Sequence, residues 1–543
     1  MTDTVESWVA RARQARGRAD LAEAAHCYAQ ALRLAPSQHE LRLDAAAASL
    51  GAGDAAGALA TLGESPATGA AWADPQVPHT LLPGWRAELI AAMALARLGR
   101  ADDALPAFQR ALAHRQTPQA AVHTARREAA QLLLNELGDP QGAADLHASA
   151  EQQPQAWQAG EPDAASRPVP LHEDEQAWLA VLVTGLYTGK VDSPTLSASF
   201  RRFAARHLEP PGGAAAPAHW PPRATRASGA PPRIGWVCGM FCSSPVGFMT
   251  LGVFEALAQQ AELVCFDRGS KHDWAHARFR RSASAWHDAR GLGPVELARA
   301  ITDAGLDAIV DLCGWMDLDV MRALARRPAP RQFKWVGGQA LTTGLNCFDG
   351  FWADKAQVPD PARDLYCEPI LHFEGGYAAY TSPPYLDLSA AAAAPPAPAP
   401  AASGAYAIVS NPAKIGAPMR PMLDALRPKV LHLVDARWRH RHARERAAAL
   451  LGPWAAVARF VAPVNHPAYL QTLSDLDATV LDTEPYSMGL TAIELRLLGK
   501  PILARPRAPR LTLRERHCVA HLGTPRFDRH SEMAAQVLAW CRP

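Results

Sequence analysis

The chain runs to 543 residues, 48% of them hydrophobic, with 55 Lys and Arg against 53 Asp and Glu for a formal charge of +2. A chain of that length holds about three domains with real apolar cores, and nothing in so balanced a charge calls for nucleic acid or an anionic membrane as the main partner. The opening MTDTVESWVARARQ has no basic stretch before an apolar core, and no run reaches about 18 apolar residues. Neither a signal peptide nor a membrane span is therefore expected, and a cytoplasmic location is.

Residues 1–207 are rich in Ala and Leu with helical periodicity, and they carry a repeat of about 34 residues. Trp8, Ala12, Ala24, Tyr28, Ala31, Leu32 and Pro36 fall at the small, aromatic and proline positions of a tetratricopeptide repeat. A second copy places Ala104, Phe108, Ala111 and Leu112 at the same offsets after the turn Leu98, Gly99, Arg100, and a degenerate unit surrounds Gly53. Small residues at these offsets let paired helices approach closely, so that stacked pairs bury a continuous core. Residues 208–232 hold too much Pro and Gly for a helix or strand interior and mark a linker.

From residue 233 the pattern changes to buried β-branched strands alternating with helical stretches, which predicts a parallel doubly wound sheet over 233–383. A Pro- and Ala-rich linker at 384–404 precedes a second strand and helix series over 405–543. The fold class expected is thus an α-helical tetratricopeptide-like domain followed by an α/β GT-B-like pair of Rossmann-like halves, with ligands at the carboxyl ends of the strands. Nine cysteines, several in strand-like segments such as Cys238, Cys265 and Cys313, read as reduced core thiols. Cys238 and Cys242 have no second ligand pair at zinc spacing, so no metal is expected.

The segment ATVLDTEPYSMGLTAIELRLLGKP, residues 478–501, runs from a buried strand through Gly489, Leu490 and Thr491 into an apolar helix. Amides at a helix start lack intrahelical partners and carry the positive end of the helix dipole, so a diphosphate can dock there, with Thr491 adding a hydroxyl donor. An ordinary strand-loop-helix step has the same pattern. Lys414 follows the strand YAIVSN at the edge facing the expected cleft, where an ammonium can neutralise charge on a departing diphosphate.

The segments RIGWVCGMF, FMTLGVFEAL, AIVDLCGW, ALARRPAPRQFKWVGG, TTG at 342–344, FDGFWADK, SNPAKI, HPAYL and LDTEPYS with LTAIELRLLGKP occur in this order. Together with the repeats, they resemble the glycosyltransferase family 41 proteins, which are the O-linked N-acetylglucosamine transferases and their bacterial SPINDLY-type relatives. The resemblance implies an inverting, metal-independent transferase that moves N-acetylglucosamine or another hexose from a UDP-sugar to a protein side chain. No cofactor beyond the donor is implied, and the repeats would present the polypeptide.

By that resemblance Lys414 matches a lysine that contacts the diphosphate, and Gly489, Leu490 and Thr491 replace a His-Thr-Thr cradle of which only the last Thr is kept. Glu494 stands for an aspartate that accepts from the ribose, although a Glu in a first helical turn is also favoured by the dipole alone. Ala462, Pro463 and His466 fall where the family holds uracil, and His466 could instead cap the helix that begins at Pro467. Asp482 is expected to fix the following loop by accepting backbone bonds.

Ser244, Pro245 and Gly338 belong to the acceptor side of the cleft. A family histidine there is replaced by Ser243 and Ser244, and Asp311 is the nearest alternative proton acceptor. The loss of that histidine motivates a second reading, a peptide-binding scaffold whose transferase fold is catalytically impaired. Two D-x-D patterns, Asp317 with Asp319 and Asp475 with Asp477, read as solvated acids on helices, and the basic run at 436–451 reads as an exposed amphipathic face.

Overall fold

The structure is a computed structural model and describes residues 4–63, 84–148, 175–210, 229–386, 404–505, 508 and 511–542. Most of the two linkers expected at 208–232 and 384–404 lies outside the described residues. The chain divides into two units, one of Met1–Gln153, Leu171–Thr184 and Arg439–Arg446, the other of Pro154–Pro170, Gly185–Trp438 and Ala447–Pro543.

In the first unit, helices pair in chain order: Val5–Gly17 with Leu21–Leu34, His39–Gly51 with Ala55–Leu62, Trp85–Arg97 with Ala101–Ala113, and Gln119–Asn135 with Pro140–Ala148. Side-chain caps start several of them. Asp20 accepts from Glu23 N at 3.0 Å and Asp54 from Gly57 N at 2.7 Å, each offsetting orphan amides by about 1 kcal/mol. Ala12, Ala24 and Ala31 are fully buried with Tyr28, as are Ala104, Phe108 and Ala111 at the matching places of a later pair. The turns between helices fall at Gly53 and Gly99, both with positive φ, a conformation open to Gly at little cost.

The segment Arg439–Arg446 belongs to this unit and is amphipathic as expected, with Arg439, Arg441 and Arg444 exposed and Ala443 buried, while other basic residues of the run are paired. Asp102 accepts the backbone N–H of Arg441 at 3.0 Å and of His442 at 2.9 Å. Asp139 pairs with His442 Nε2 at 2.9 Å and Arg446 Nε at 3.4 Å. Burial raises the pKa of both carboxyls, but these bonds outweigh it and hold each below the usual range.

Among the described residues the second unit contains twelve strands in two sheets. The first sheet comprises β1 (Arg233–Cys238), β2 (Glu262–Asp267), β3 (Ala285–Asp288), β4 (Ala308–Asp311), β5 (Arg331–Lys334), β6 (Gly350–Ala353) and β7 (Ile370–His372). The second comprises β8 (Ala405–Ile408), β9 (Val430–Val434), β10 (Ala458–Val461), β11 (Thr479–Leu481) and β12 (Ile502–Leu503). Their orders are β3-β2-β1-β4-β5-β6-β7 and β10-β9-β8-β11-β12, and among the described residues every strand pairing is parallel. Each sheet therefore reverses direction once, between β1 and β4 and between β8 and β11, where open α/β sheets bind ligands.

One apolar cluster joins the two halves. Ile493 and Leu497 of the helix Leu490–Leu497, and Met533, Ala534, Val537 and Leu538 of the helix His530–Cys541, pack with Phe248, Leu251 and Phe254 of the helix Pro245–Leu257. The helix Ser193–His207 lies in this unit as well, with Ser193 Oγ donating to Glu515 Oε1 at 2.7 Å. Among the described residues no helix is long and apolar enough to cross a membrane.

The segment Arg327 to Trp335 is a structural staple of the first sheet. Arg327 Nη1 donates to Cys347 O at 2.9 Å and Nη2 pairs with Asp349 at 3.0 Å. Buried Gln332 donates to Leu324 O and Cys347 O at 2.9 and 3.1 Å, and buried Trp335 to Tyr377 O at 2.9 Å. The Gln332 amide nitrogen and the Trp335 indole nitrogen thereby keep partners on entering the core, as burial demands, whereas Gln332 Oε1 has none.

Candidate functional site

The second sheet's switch point is built by the segments that leave β8 and β11. After β8, Asn411 accepts from Ala413 N at 2.9 Å and sets a short turn, Pro412–Lys414. That turn delivers the Lys414 side chain to the β11 loop, where its ammonium donates to Ser487 O at 3.1 Å and lies 4.3 Å from the centroid of the Tyr486 ring. Burial lowers the Lys414 pKa to about 8 against the pull of Asp482 and Asp435. The group is poised to gain from a nearby anion.

Asp482, just beyond β11, organises the loop as its sequence position suggested. It accepts Thr483 N at 2.9 Å, Ser487 Oγ at 2.9 Å and Met488 N at 2.9 Å, while Ser487 Oγ accepts Cys518 N at 2.9 Å. With Met488 fully buried, the chain turns at Gly489 into the helix Leu490–Leu497. Gly489 has negative φ, and a Cβ there would meet nothing within 4 Å, so its significance is open space before the helix. The first amides of that helix have no intrahelical acceptor. Thr491 Oγ1 accepts from Tyr469 OH at 3.2 Å.

Glu494, one turn further, is 1% exposed. It accepts from His466 Nε2 at 2.9 Å and Tyr380 OH at 3.3 Å. A proton on His466 Nε2 suits this contact and leaves Nδ1 to accept from Tyr385 OH at 2.6 Å. Burial and then Glu494 raise the Tyr385 pKa to about 12, so this hydroxyl stays a donor. Phe248 and Tyr469 flank the imidazole at 5.0 and 5.8 Å. The helix cap at this point is Asn465, which accepts from Ala468 N at 2.9 Å, so His466 is not the cap. Ala462 and buried Pro463 follow β10 on the same carboxyl edge.

No protein-family model matches the chain. Over 127 residues, 23% of the chain, it is 27% identical to proteins of Solanum lycopersicum and Arabidopsis thaliana, each named a probable UDP-N-acetylglucosamine-peptide N-acetylglucosaminyltransferase SPINDLY. The matched stretch spans 14% of each relative's own length. Among solved structures, a lysine-to-methionine mutant of the Thermobaculum terrenum O-GlcNAc transferase superposes over 99% of this chain and 91% of its own, with a TM-score of 0.67 at 20% identity. The fold is that of an O-GlcNAc transferase. The resemblance to glycosyltransferase family 41, with tetratricopeptide-like helices before a GT-B pair of α/β halves, holds at this level.

Within this O-GlcNAc transferase fold the acceptor-side candidates have other partners. Ser244 caps the helix Pro245–Leu257, accepting from Gly247 N at 3.0 Å and donating to Met240 O at 3.1 Å, with Pro245 in the first turn. Gly338 has φ +63°, and a Cβ there would lie 2.4 Å from Cys313 O, so it is required by packing. Asp311 corrects the expectation of an accessible base. It is fully buried, accepts from Cys313 N at 2.7 Å and Gly314 N at 3.0 Å, and pairs at 3.6 Å with Lys334, itself fully buried.

The acids of the first D-x-D pattern are not solvated alike. Asp317 caps the helix Leu318–Leu324 and pairs with Arg268 at 2.8 Å, whereas Asp319 is 41% exposed in its side chain. Asp475 ends the helix His466–Asp475 and accepts from Gln471 at 2.8 Å. Tyr380, Tyr385, Tyr469 and Tyr486 are the site residues that sequence reasoning missed. Two of them, Tyr469 in HPAYL and Tyr486 in LDTEPYS, sat inside segments already singled out.

Proposed function

We propose that this chain is a glycosyltransferase that takes a sugar from a UDP donor and places it on a protein side chain. The observation that carries the reading is the convergence of the Lys414 ammonium and the open helix start at Gly489, Leu490 and Thr491 at the switch point of the second sheet. Preorganised donors facing a leaving diphosphate stabilise the charge that develops in the transition state. Attack by the acceptor's oxygen or nitrogen on the anomeric carbon forms the new glycosidic bond as the bond to the diphosphate breaks. UDP leaves with that electron pair, configuration inverts, and the acceptor's proton passes to a base or to solvent. In this reading Lys414 and the helix-start amides, rather than a metal, would offset the charge on the departing UDP.

His466 would border uracil through its ring and not by a hydrogen bond, since Glu494 and Tyr385 engage both of its nitrogens. Glu494 is held by His466 and Tyr380, so its contribution to ribose binding is through the imidazole it orients. Ala462 and Pro463 would border the base. The helical pairs of the first unit suit a peptide ligand, as stacked repeats commonly do. Calorimetric titration with UDP and UDP-N-acetylglucosamine, followed by transfer assays with labelled donor and protein acceptors, tests this reading. Absence of UDP binding removes it.

A second reading has specific support. Ser244 caps a helix and Asp311 is sealed in the core, which favours a catalytically impaired scaffold that retains peptide binding. UDP binding without any turnover on a panel of acceptors selects that alternative.

A further inference from the structure

We propose that Asp267, His272 and His276 form a binding site for one divalent transition-metal cation of the zinc type, on the carboxyl edge of the first sheet. The three side chains each offer one ligand atom, and those atoms all lie within 4.8 Å of one another. Asp267 is the last residue of β2 and is 5% exposed. Its Oδ1 accepts Gly269 N at 2.9 Å, while Oδ2 faces His276 Nε2 at 3.3 Å. Two ligand atoms about 2.0–2.2 Å from a tetrahedral zinc ion stand about 3.3–3.5 Å apart, so this pair already has the separation that a shared ion requires.

The surroundings hold two ligands in place and leave the third adjustable. His276 lies in the first turn of the helix Trp274–Ser282, whose cap Asp273 accepts Ala275 N at 3.0 Å and His276 N at 3.2 Å. Trp286 meets the His276 ring edge-on at 5.1 Å. His272 sits on the exposed loop before the helix with its ring stacked 4.3 Å from that of His276, so a side-chain rotation can complete the set. The neighbouring cations are engaged elsewhere. Arg268 pairs with Asp317 at 2.8 Å and donates to Ala289 O and Leu292 O at 2.7 Å, Arg290 pairs with Asp288, and Lys271 reaches Ser243 O at 3.1 Å.

Two imidazoles and one carboxylate select zinc, cobalt, nickel or ferrous iron over calcium or magnesium, which take oxygen ligands. Three protein ligands leave a coordination position for water or another group. The carboxylate's second oxygen, held by Gly269 N, is the kind of outer contact that orients a ligand. The site shares no residue with the donor pocket built around Lys414, His466 and Glu494.

The test uses the full chain, stripped with chelator, titrated with Zn2+ in competition with a chromophoric chelator and with Co2+ followed by its visible absorption. One equivalent of zinc, and a cobalt spectrum of four- or five-coordinate intensity, are expected. His272→Ala, at an exposed position, and His276→Ala should each weaken zinc binding by at least about tenfold, with UDP binding unchanged. Absence of a stoichiometric zinc site, or undiminished affinity in His272→Ala, overturns the proposal.

Discussion

Between β1 and β4 the first sheet closes its switch point with Asp311, whose carboxylate accepts two amides and faces the ammonium of Lys334, both side chains fully buried. Between β8 and β11 the second sheet presents a different content: a lysine reaching a loop carbonyl, an acid that ties the loop, and a glycine with open space before a helix. The strand order is the same about both points. Topology therefore only creates the opportunity for a ligand, and the few residues after each strand decide whether it is filled from within or left open.

The sharpest way to break this contrast is to remove one partner from the filled end. Asp311→Ala leaves Lys334 buried without its carboxylate and deprives the amides of Cys313 and Gly314 of an acceptor, a change that costs about 3–5 kcal/mol for a buried pair. Chemical denaturation should show that loss, while the folded fraction binds UDP as before. Retained stability together with lost transfer would restore Asp311 as a reacting base.

At the open end the corresponding change is Lys414→Ala. Removing one preorganised donor to a developing anion lowers turnover about 100- to 1,000-fold, with thermal stability close to that of the unaltered chain. The expected signature is a fall in kcat larger than the rise in the UDP dissociation constant, measured by single-turnover transfer and calorimetry. A smaller but more specific effect concerns protons. Burial brings the Lys414 pKa down to about 8 from 10.5, and a bound diphosphate favours the charged form. Between those values UDP binding should take up a proton and weaken as pH rises, by up to about one decade per pH unit. Calorimetry in buffers of different ionisation enthalpy reads the uptake directly, and Lys414→Ala should abolish it.

Much of the architecture was legible because buried parallel strands read as apolar runs and paired helices demand small residues at fixed offsets, as at Ala12, Ala24 and Ala31. Lys414 and the Gly489 turn were legible for the same local reason, since both stand just beyond a strand. The partners of Glu494 were not. Tyr380 meets Glu494 from 114 positions away, and Tyr385 meets the bridging His466 from 81 positions away, and no local periodicity encodes such meetings. Asp311 was misread because its fate depends on Lys334 in the neighbouring strand. A lysine inside QFKW breaks the apolar pattern of a buried strand, and that breach was the available warning.

The smallest expected effect separates a cap from a base on the acceptor side. Ser244 Oγ both accepts from Gly247 N and donates to Met240 O, so its two hydrogen-bonding roles are satisfied by the backbone before any acceptor arrives. Ser244→Ala should then cost about 1 kcal/mol of stability, as loss of a helix cap does, and leave the pH profile of transfer unmoved. Ser244→Asp keeps a capping oxygen and should recover the stability. If Ser244→Ala instead lowers kcat more than about tenfold with stability intact, the hydroxyl acts on the acceptor, and the first sheet's edge takes part in the chemistry that its filled switch point otherwise denies it.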